Sequence, residues 1–527
     1  MINELFVVIS IFVGGCALAR VLGVTGWPLP AVGLVAGVCL QLTVGFIQAA
    51  TALPTSPLIT LAVTLLGPAT WWVLRLRAGD DVKVRWLPAV LSIAALAGAV
   101  AVFRVANLVK WHTDSIAYLM VGRLLAEGDF AAFNTTHLVS TRVVGIPLLH
   151  APANIDGGFY LRSITPLLAV ATIAVAVWLL REAMTLGSGR ITLVVASALM
   201  VLLLLTSNRV IHSFFYINGH LLTGCLVMVL AASGWLLVVG ERRHERALMA
   251  LHLLAIPPLI IVRPEGSLMG VLILAPMWLS KDIDRNRRTW SMAVFGVSTI
   301  LLSLLEGWFF LDRQEPVPSS VTGPLALGVA VLLAIPLLRA SFLPRHSRIL
   351  LWLTEIGLWV SLLALGLYYR GSGTLRNSVD ATYVNLFEGA GAWGLSIVIL
   401  VALLGLGLVL ARPVPHQLML RFPLTTFVPF VFLMAYFREG SYRVGLADSL
   451  NRMIMHVVPL AILLLLILVT VGDRPEPTAE SDGDPDARLE VEAKPPVPLD
   501  AGASDPDPHL SVPQDRSHPA DVTPVSP

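Results

Sequence analysis

The chain has 527 residues, 56% of them hydrophobic and only 13% charged, with a mean hydropathy of +0.79. Soluble domains carry about 25% charged residues, so this chain has too little polar surface for water, and its main solvent is lipid. The net charge of +2 averages two unlike stretches: residues 473–527 hold 13 acids against 4 bases, or −9, leaving 21 acids and 32 bases, or +11, in residues 1–472.

A bilayer core about 30 Å thick needs about 20 apolar residues per helix, and that ruler predicts an all-α polytopic transmembrane helix bundle of about fifteen spans. They lie near 4–24, 28–49, 57–75, 87–107, 159–180, 191–206, 217–239, 246–262, 265–280, 290–310, 322–338, 349–368, 391–411, 421–436 and 453–471. The first apolar stretch, Leu5 to Val24, has no basic segment before it and is followed at once by another span, so it reads as a retained helix. Cys16, Cys39 and Cys225 each lie within an apolar run and suggest neither a disulfide framework nor a thiolate metal site. Between 246–262 and 265–280, Arg263-Pro264-Glu265-Gly266 marks either a tight hairpin or one irregular span. The stretch 473–527 holds 12 of the 35 prolines and few large apolar side chains, and is expected to be a disordered, solvated tail.

Lys and Arg in short loops resist translocation. The rich loops run from Arg75 to Arg85, Arg181 to Arg190, Glu241 to Arg246, Lys281 to Arg288, Arg339 to Arg348 and Arg412 to Arg421, and all six fall on one side of the predicted bundle. That side is expected to be cytoplasmic, with the N-terminus outside and the acidic tail inside. Two long connections then face out, 108–158 and 369–390; loops of this length are usually functional or disordered, and the first is too aromatic and apolar for disorder.

The first outer loop contains Trp111-His112-Thr113-Asp114-Ser115-Ile116-Ala117-Tyr118 and continues to Gly128. Ile116, Leu119, Met120, Arg123 and Leu124 recur at helical spacing, which predicts an amphipathic helix lying in the interface. Thr113 or Asp114 is a natural N-cap and Gly128 a natural stop. A capping role for Asp114 is compatible with a chemical one, since the helix dipole favours its ionised form.

An Asp shortly after an early span, a Tyr four residues on and a small-residue-rich helix ending in Gly resemble the first extracytoplasmic loop of GT-C membrane glycosyltransferases. The resemblance covers this loop and, loosely, the polytopic plan of a domain spanning 1–472. It implies transfer of a sugar from a polyprenyl-phosphate carrier to an acceptor on the extracytoplasmic face, in the manner of mannosyl- or arabinosyltransferases, with Asp114 as the catalytic acid residue, in a bacterial plasma membrane. The chain departs from the family pattern in two ways: three further spans precede the loop, and no second acid adjoins Asp114.

Eleven arginines fall at outer ends or in outer loops: Arg104, Arg142, Arg162, Arg209, Arg263, Arg313, Arg370, Arg376, Arg438, Arg443 and Arg452. Positive-inside bias runs against this placement, and the planar guanidinium fork matches phosphate oxygens. Snorkelling to headgroups is the plainer role for any one of them. Glu265 is expected to pair with Arg263. In the last outer loop Asn451, Arg452 and His456 crowd the mouth of the final span, where ionisable groups facing a bundle interior mark functional sites; His456 is equally compatible with a hydrogen-bonded core position. His137 and His150 are too scattered for a metal site, and Asn134-Thr135-Thr136 is a sequon only in form. No Walker, dinucleotide-binding or nucleophile-elbow pattern is present.

The leading expectation is therefore an inverting lipid-linked sugar transferase, with Asp114 as base and His112, Arg263, Arg438, Arg443, Arg452 and His456 as substrate and phosphate ligands. A divalent cation is compatible with this chemistry, but no ligand set points to one. The expected partners are a lipid-linked sugar donor and the membrane, with no nucleic acid. The alternative is a transporter or flippase for a lipid-linked or anionic substrate, which predicts charge through the middle of the membrane and an internal repeat; the mid-span acids are only Glu306 and Glu355, with no obvious twin, and no repeat is evident. A third class is a sensor whose acidic tail recruits a cytoplasmic partner.

Overall fold

The computed structural model describes residues 2–51, parts of 53–73, 86–106, 109, 113–128, 144–154, 160–184, 190–240, 244–339, 347–368, 373–411, 414–437, 440–446 and 448–471. By its contacts the chain divides into Met1–Asp473 and Arg474–Pro527. The acidic tail, expected to be disordered, lies outside the described residues.

Among those residues the chain is all-helical. The helices are α1 (Ile2–Val21), α2 (Leu29–Ala50), α3 (Trp86–Ala106), α4 (Thr113–Glu127), α5 (Gly145–His150), α6 (Ile164–Met184), α7 (Arg190–Leu205), α8 (Asn208–Phe214), α9 (His220–Val239) and α10 (Glu245–Val262). They continue as α11 (Gly266–Trp278), α12 (Arg285–Asp312), α13 (Ser319–Arg339), α14 (Ser347–Tyr368), α15 (Thr374–Phe387), α16 (Leu395–Leu410), α17 (Leu418–Phe437), α18 (Ser449–Met453) and α19 (Val458–Val471).

Nine of the described helices are long and apolar enough to cross a membrane, or up to eleven if each of two bent pairs is one span. The pairs are Thr192–Leu205 with Asn208–Phe214, bent by 87°, and Ser449–His456 with Val458–Val471, bent by 40°. Three further expected spans appear as shorter apolar helices, Ala89–Phe103, Gly266–Trp278 and Leu395–Leu410, and 57–75 lies largely outside the described residues.

Burial sorts the helices into a centre and a rim. The span window of α9 is 94% buried and that of α14 only 11%. Around α9 pack α6, α10, α11, α17 and α19, while α13 and α14 expose Leu333, Leu337, Ile356, Val360 and Leu363, as lipid-facing surfaces do. The α1–α2 pair touches backbone to backbone: a Cβ on Gly15 would lie 1.9 Å from the Gly33 carbonyl oxygen. Such close approach of small residues is how helices associate where lipid removes the hydrophobic drive.

One end of the bundle gathers five of the six basic loops. His244 Nδ1 meets Glu182 Oε1 at 2.8 Å, Arg287 pairs with Glu245, and His416 lies 3.5 Å from Asp282. Trp235 donates to the Pro415 carbonyl at 2.8 Å, and Arg288 donates to the carbonyls of Leu338 and Ser280. The sixth loop, Arg75 to Arg85, lies outside the described residues. The 263–266 break resolves as a tight turn, with the Gly266 N–H on the Arg263 carbonyl at 2.9 Å. From there α11 doubles back, so that Trp278 at its far end reaches Ser291, which also bonds His252 of α10. The break is a hairpin, not one irregular span.

Candidate functional site

The other end of the bundle, opposite the basic loops, carries the expected site. Helix α4 forms where its apolar periodicity predicts and stops at Gly128, whose φ of +69° is the left-handed turn that glycine adopts without strain. Asp114 is the second residue of α4, inside the first turn rather than ahead of it. His112 and Arg438 lie outside the described residues, and of the Asp114 side chain nothing is described.

The first turn of α4 is fastened to the bundle. Ser115, fully buried, donates from Oγ to the Ile217 carbonyl at 3.1 Å. Ile217 begins the turn Ile217-Asn218-Gly219 that starts α9, where Asn218 Oδ1 accepts the His220 N–H at 2.9 Å. Gly219 presses on the end of α10: a Cβ there would lie 2.8 Å from Val262 Cγ1 and 3.5 Å from Arg263 Cδ. Gly145 of α5 presses from another side, its Cβ falling 2.7 Å from the Ile261 carbonyl oxygen. The end of α10 that leads into the Arg263 turn is thus held between two glycines.

Arg263 pairs with Glu265, Nη2 to Oε1 at 2.7 Å and Nε to the same oxygen at 2.8 Å. Deeper in, the rings of His220 and His456 stack with centroids 5.1 Å apart and share a hydrogen bond, Nδ1 to Nε2 at 2.9 Å. Both are buried, and Phe427 meets the His456 ring edge-on at 6.2 Å. Arg263, Arg452 and Arg209 all act electrostatically on His220. Arg209 is itself almost fully buried, at 1% exposure, because the 87° bend before α8 turns it inward; it donates to the Leu446 carbonyl at 2.9 Å. Arg452 reaches Tyr216 Oη at 3.5 Å and the Asp448 carbonyl at 3.3 Å.

The loop before α18 is held by polar side chains. Asp448 caps α18, accepting the Asn451 N–H at 2.9 Å and the Arg443 N–H at 2.8 Å. Asn385 of α15 donates to the Arg443 carbonyl and accepts the Gly445 N–H. Asn451 donates to the carbonyls of Gly391 and Gly445 and accepts from Trp393 Nε1. Arg443 contributes only backbone here, and the residue is exposed.

Of the expected ligands, Arg263, Arg452 and the buried His456 fall at one end of the bundle, where both arginines act on His220, and Ser115 ties the first turn of α4 to the segment before α9. The structure adds His220, Arg209 and Tyr216. Arg209 stands out in the sequence only as one of eleven misplaced arginines, and His220 only as a polar residue opening an apolar run. Among the described residues three atoms in this cluster are buried without a hydrogen-bond partner: Arg209 Nε, Glu265 Oε2 and His456 Nδ1. Buried polar atoms are nearly always paired, and these three lie at the end of the bundle where the expected phosphate ligands fall. No three His, Cys, Asp or Glu side chains among the described residues group as a metal site. Beside α4, His150 accepts the Leu161 N–H on Nδ1 at 3.2 Å, and burial pushes its imidazole down to about 4.

In comparison with known proteins, no protein-family model, no curated protein and no solved structure matches this chain. The class its fold defines is that of helical integral membrane proteins.

Proposed function

We propose that the chain is a membrane glycosyltransferase of the GT-C type, moving a sugar from a polyprenyl-phosphate carrier to an acceptor on the extracytoplasmic face. One observation carries this reading: Ser115 ties the turn bearing Asp114 to the segment that also positions Arg263 and the His220–His456 pair. A carboxylate in the first turn of a helix is held ionised by the dipole, which suits a base. Asp114 takes the proton of the acceptor hydroxyl as its oxygen attacks the anomeric carbon from the face opposite the carrier. The bond from that carbon to the phosphate oxygen breaks, and its electron pair stays on the phosphate. Arg209, Arg263 and Arg452 stabilise the charge that develops there. On this reading the site face is outside, the end with the basic loops is cytoplasmic, and the N-terminus faces out.

The test is transfer from polyprenyl-phosphate sugars by the purified protein and its Asp114→Asn variant. General-base catalysis is worth about 10²–10⁴-fold, so the variant should lose about that much rate while keeping its melting temperature. Wild-type rates in a normally folded variant would remove Asp114 from the base role. The two bent helix pairs, at 87° and 40°, favour a second reading, transport of a lipid-linked or anionic substrate. It predicts that reconstituted vesicles move such a lipid between leaflets without forming a glycosidic bond.

A further inference from the structure

The connection 369–390, whose spacing in the sequence predicts only a long outer loop, holds α15, and the two sides of that helix are used in reverse. At about 100° per residue, Ser378, Ala381 and Asn385 form one row and Val379, Tyr383 and Phe387 another on the opposite side. The first row is buried and carries the polar groups. The second is apolar and exposed, at 49%, 56% and 51%. A helix lying on a bundle in water has the opposite arrangement, apolar within and polar without.

The buried polar row is engaged with backbone. Ser378 Oγ accepts the Tyr442 N–H at 3.0 Å, and Asn385 donates to the Arg443 carbonyl at 2.9 Å while accepting the Gly445 N–H at 2.6 Å. The next carbonyl, that of Leu446, takes Arg209 Nη1 at 2.9 Å. To turn its polar row outward α15 would have to give up these bonds, and with them the seat of Arg209.

The neighbouring helices indicate what meets the apolar row. Before α15, α14 exposes Leu363 and Leu367 and ends on the exposed Tyr368; after it, α16 begins on the exposed Leu395 and shows Ile399 and Leu403 beyond. The row of α15 continues this lipid-facing surface at the site end of the bundle. Its level is set by Tyr442, whose N–H rests on Ser378 and whose Oη donates to the Val431 carbonyl at 2.7 Å, about 9 Å below the end of α17. Aromatic side chains gather at that level of a bilayer, between headgroups and acyl chains. The rings of Tyr383 and Phe387, 5.5 Å apart, form one apolar slab there. Arg376 lies 3.8 Å from Asp380 on the same exposed side, so the two charges offset one another and call for no anionic lipid.

We propose that α15 is an interfacial helix, lying along the leaflet on the site side of the bundle with Val379, Tyr383 and Phe387 in its lipid, and that this anchorage holds the 442–446 segment in place under Arg209. Its partner is the apolar edge of the bilayer, not a particular headgroup. The proposal goes beyond sugar transfer and holds whichever reaction the site performs.

The test uses the full chain in phosphatidylcholine vesicles, with Cys16 replaced by Ala, since Cys39 and Cys225 are fully buried. Nitroxide labels on Tyr383→Cys, Phe387→Cys, Asn377→Cys and Leu363→Cys are read by collision with oxygen, which concentrates in lipid, and with a nickel chelate confined to water. The labels at 383 and 387 should favour oxygen as the rim label at 363 does, and the label at 377 should favour the chelate. Adding phosphatidylglycerol should leave that order unchanged. Chelate-dominated collisions at both 383 and 387, or an oxygen preference there only with the anionic lipid, overturns the proposal. The hold on 442–446 is read by amide hydrogen exchange over that segment. Tyr383→Ser with Phe387→Ser should speed exchange by about tenfold or more, while Tyr383→Phe with Phe387→Leu, which keeps the row apolar, should leave it at the wild-type rate. Asn385→Ala opens the clamp from its other side and should act as the serine pair does. Exchange that quickens in Asn385→Ala but not in the serine pair would show a clamp that needs no membrane, and overturn the anchorage. Where the serine pair does not fold, Phe387→Ser is read against Phe387→Leu with the same two outcomes.

Discussion

His252 and His456 are both fully buried in the same bundle, and they are finished differently. His252 lies near the end with the basic loops, its Nδ1 on Ser233 Oγ at 3.0 Å and its Nε2 on Ser291 Oγ at 3.1 Å, while Ser291 also takes the Trp278 N–H at 2.9 Å. Both ring nitrogens there are answered, from α9 and α12, and α11 joins through Trp278. His456 has one nitrogen answered by His220 and the other by nothing among the described residues, with the charge of Arg263 acting on the pair. A buried polar group left unpaired costs on the order of 1–3 kcal/mol. The first arrangement spends that group on cohesion. The second leaves it unanswered, which is what the proposed sugar-transfer site would need at that position.

Four perturbations press on that contrast. The Asp114→Asn substitution should have the largest effect, a rate loss of about 10²–10⁴-fold with no change in thermal unfolding, since it alters the site end alone. Arg263→Gln should come next, because it strands the Glu265 carboxylate in a buried site; breaking such a pair costs about 3–5 kcal/mol, read as a lowered melting temperature. The double change Arg263→Gln with Glu265→Gln should recover most of that stability yet not phosphate binding, and recovery of both would make the pair purely structural. At the other end, His252→Ala should cost on the order of 3 kcal/mol, through the cavity it leaves and the ring it removes from the Ser233 and Ser291 hydroxyls. The folded fraction of that variant should bind and turn over normally; a selective loss of activity would erase the distinction between the two histidines.

The smallest effect is set by His150. Its folded value of about 4 lies below the ordinary 6.5 because burial disfavours the charged ring. The unfolded chain therefore binds the proton first as pH falls. The stabilisation is complete above pH 6.5 and is lost progressively towards pH 4, by about 3 kcal/mol at most. Melting temperature followed from pH 7.5 to 4 should drop over that window in the wild type and less in His150→Gln. An equal drop in both would place the titrating group elsewhere.

The run of apolar helices, though not the count of about fifteen spans, the helix α4 with its Gly128 stop and the Arg263–Glu265 pair were legible because each depends on residues near one another in the chain. Local spacing, local charge and a left-handed glycine are all sequence-local quantities. The stacked pair His220–His456 joins residues 236 positions apart, and nothing in either neighbourhood names the other. Arg209 is placed by a bend of 87°, which composition alone does not announce. The connection 369–390, read only as a long loop, contains α15, whose polar face of Ser378 and Asn385 holds the Tyr442–Gly445 segment. Those are interior polar contacts on an otherwise unremarked helix, visible only once the partner strand of backbone is beside it.

The order in which the chain is made bears on the last described helix. Nearly every residue of α19 is buried, and it packs against α6, α7, α9, α16 and α17. Helices that precede it in the chain therefore surround a slot whose occupant is synthesised after all of them, together with Arg452 and His456. Until then the bundle has an open seam lined by apolar side chains, with Arg209 and His220 already at its rim. Membrane insertion and assembly of the cationic cluster are thus a single late event, and a nascent chain stalled before residue 448 would be a natural substrate for membrane quality control.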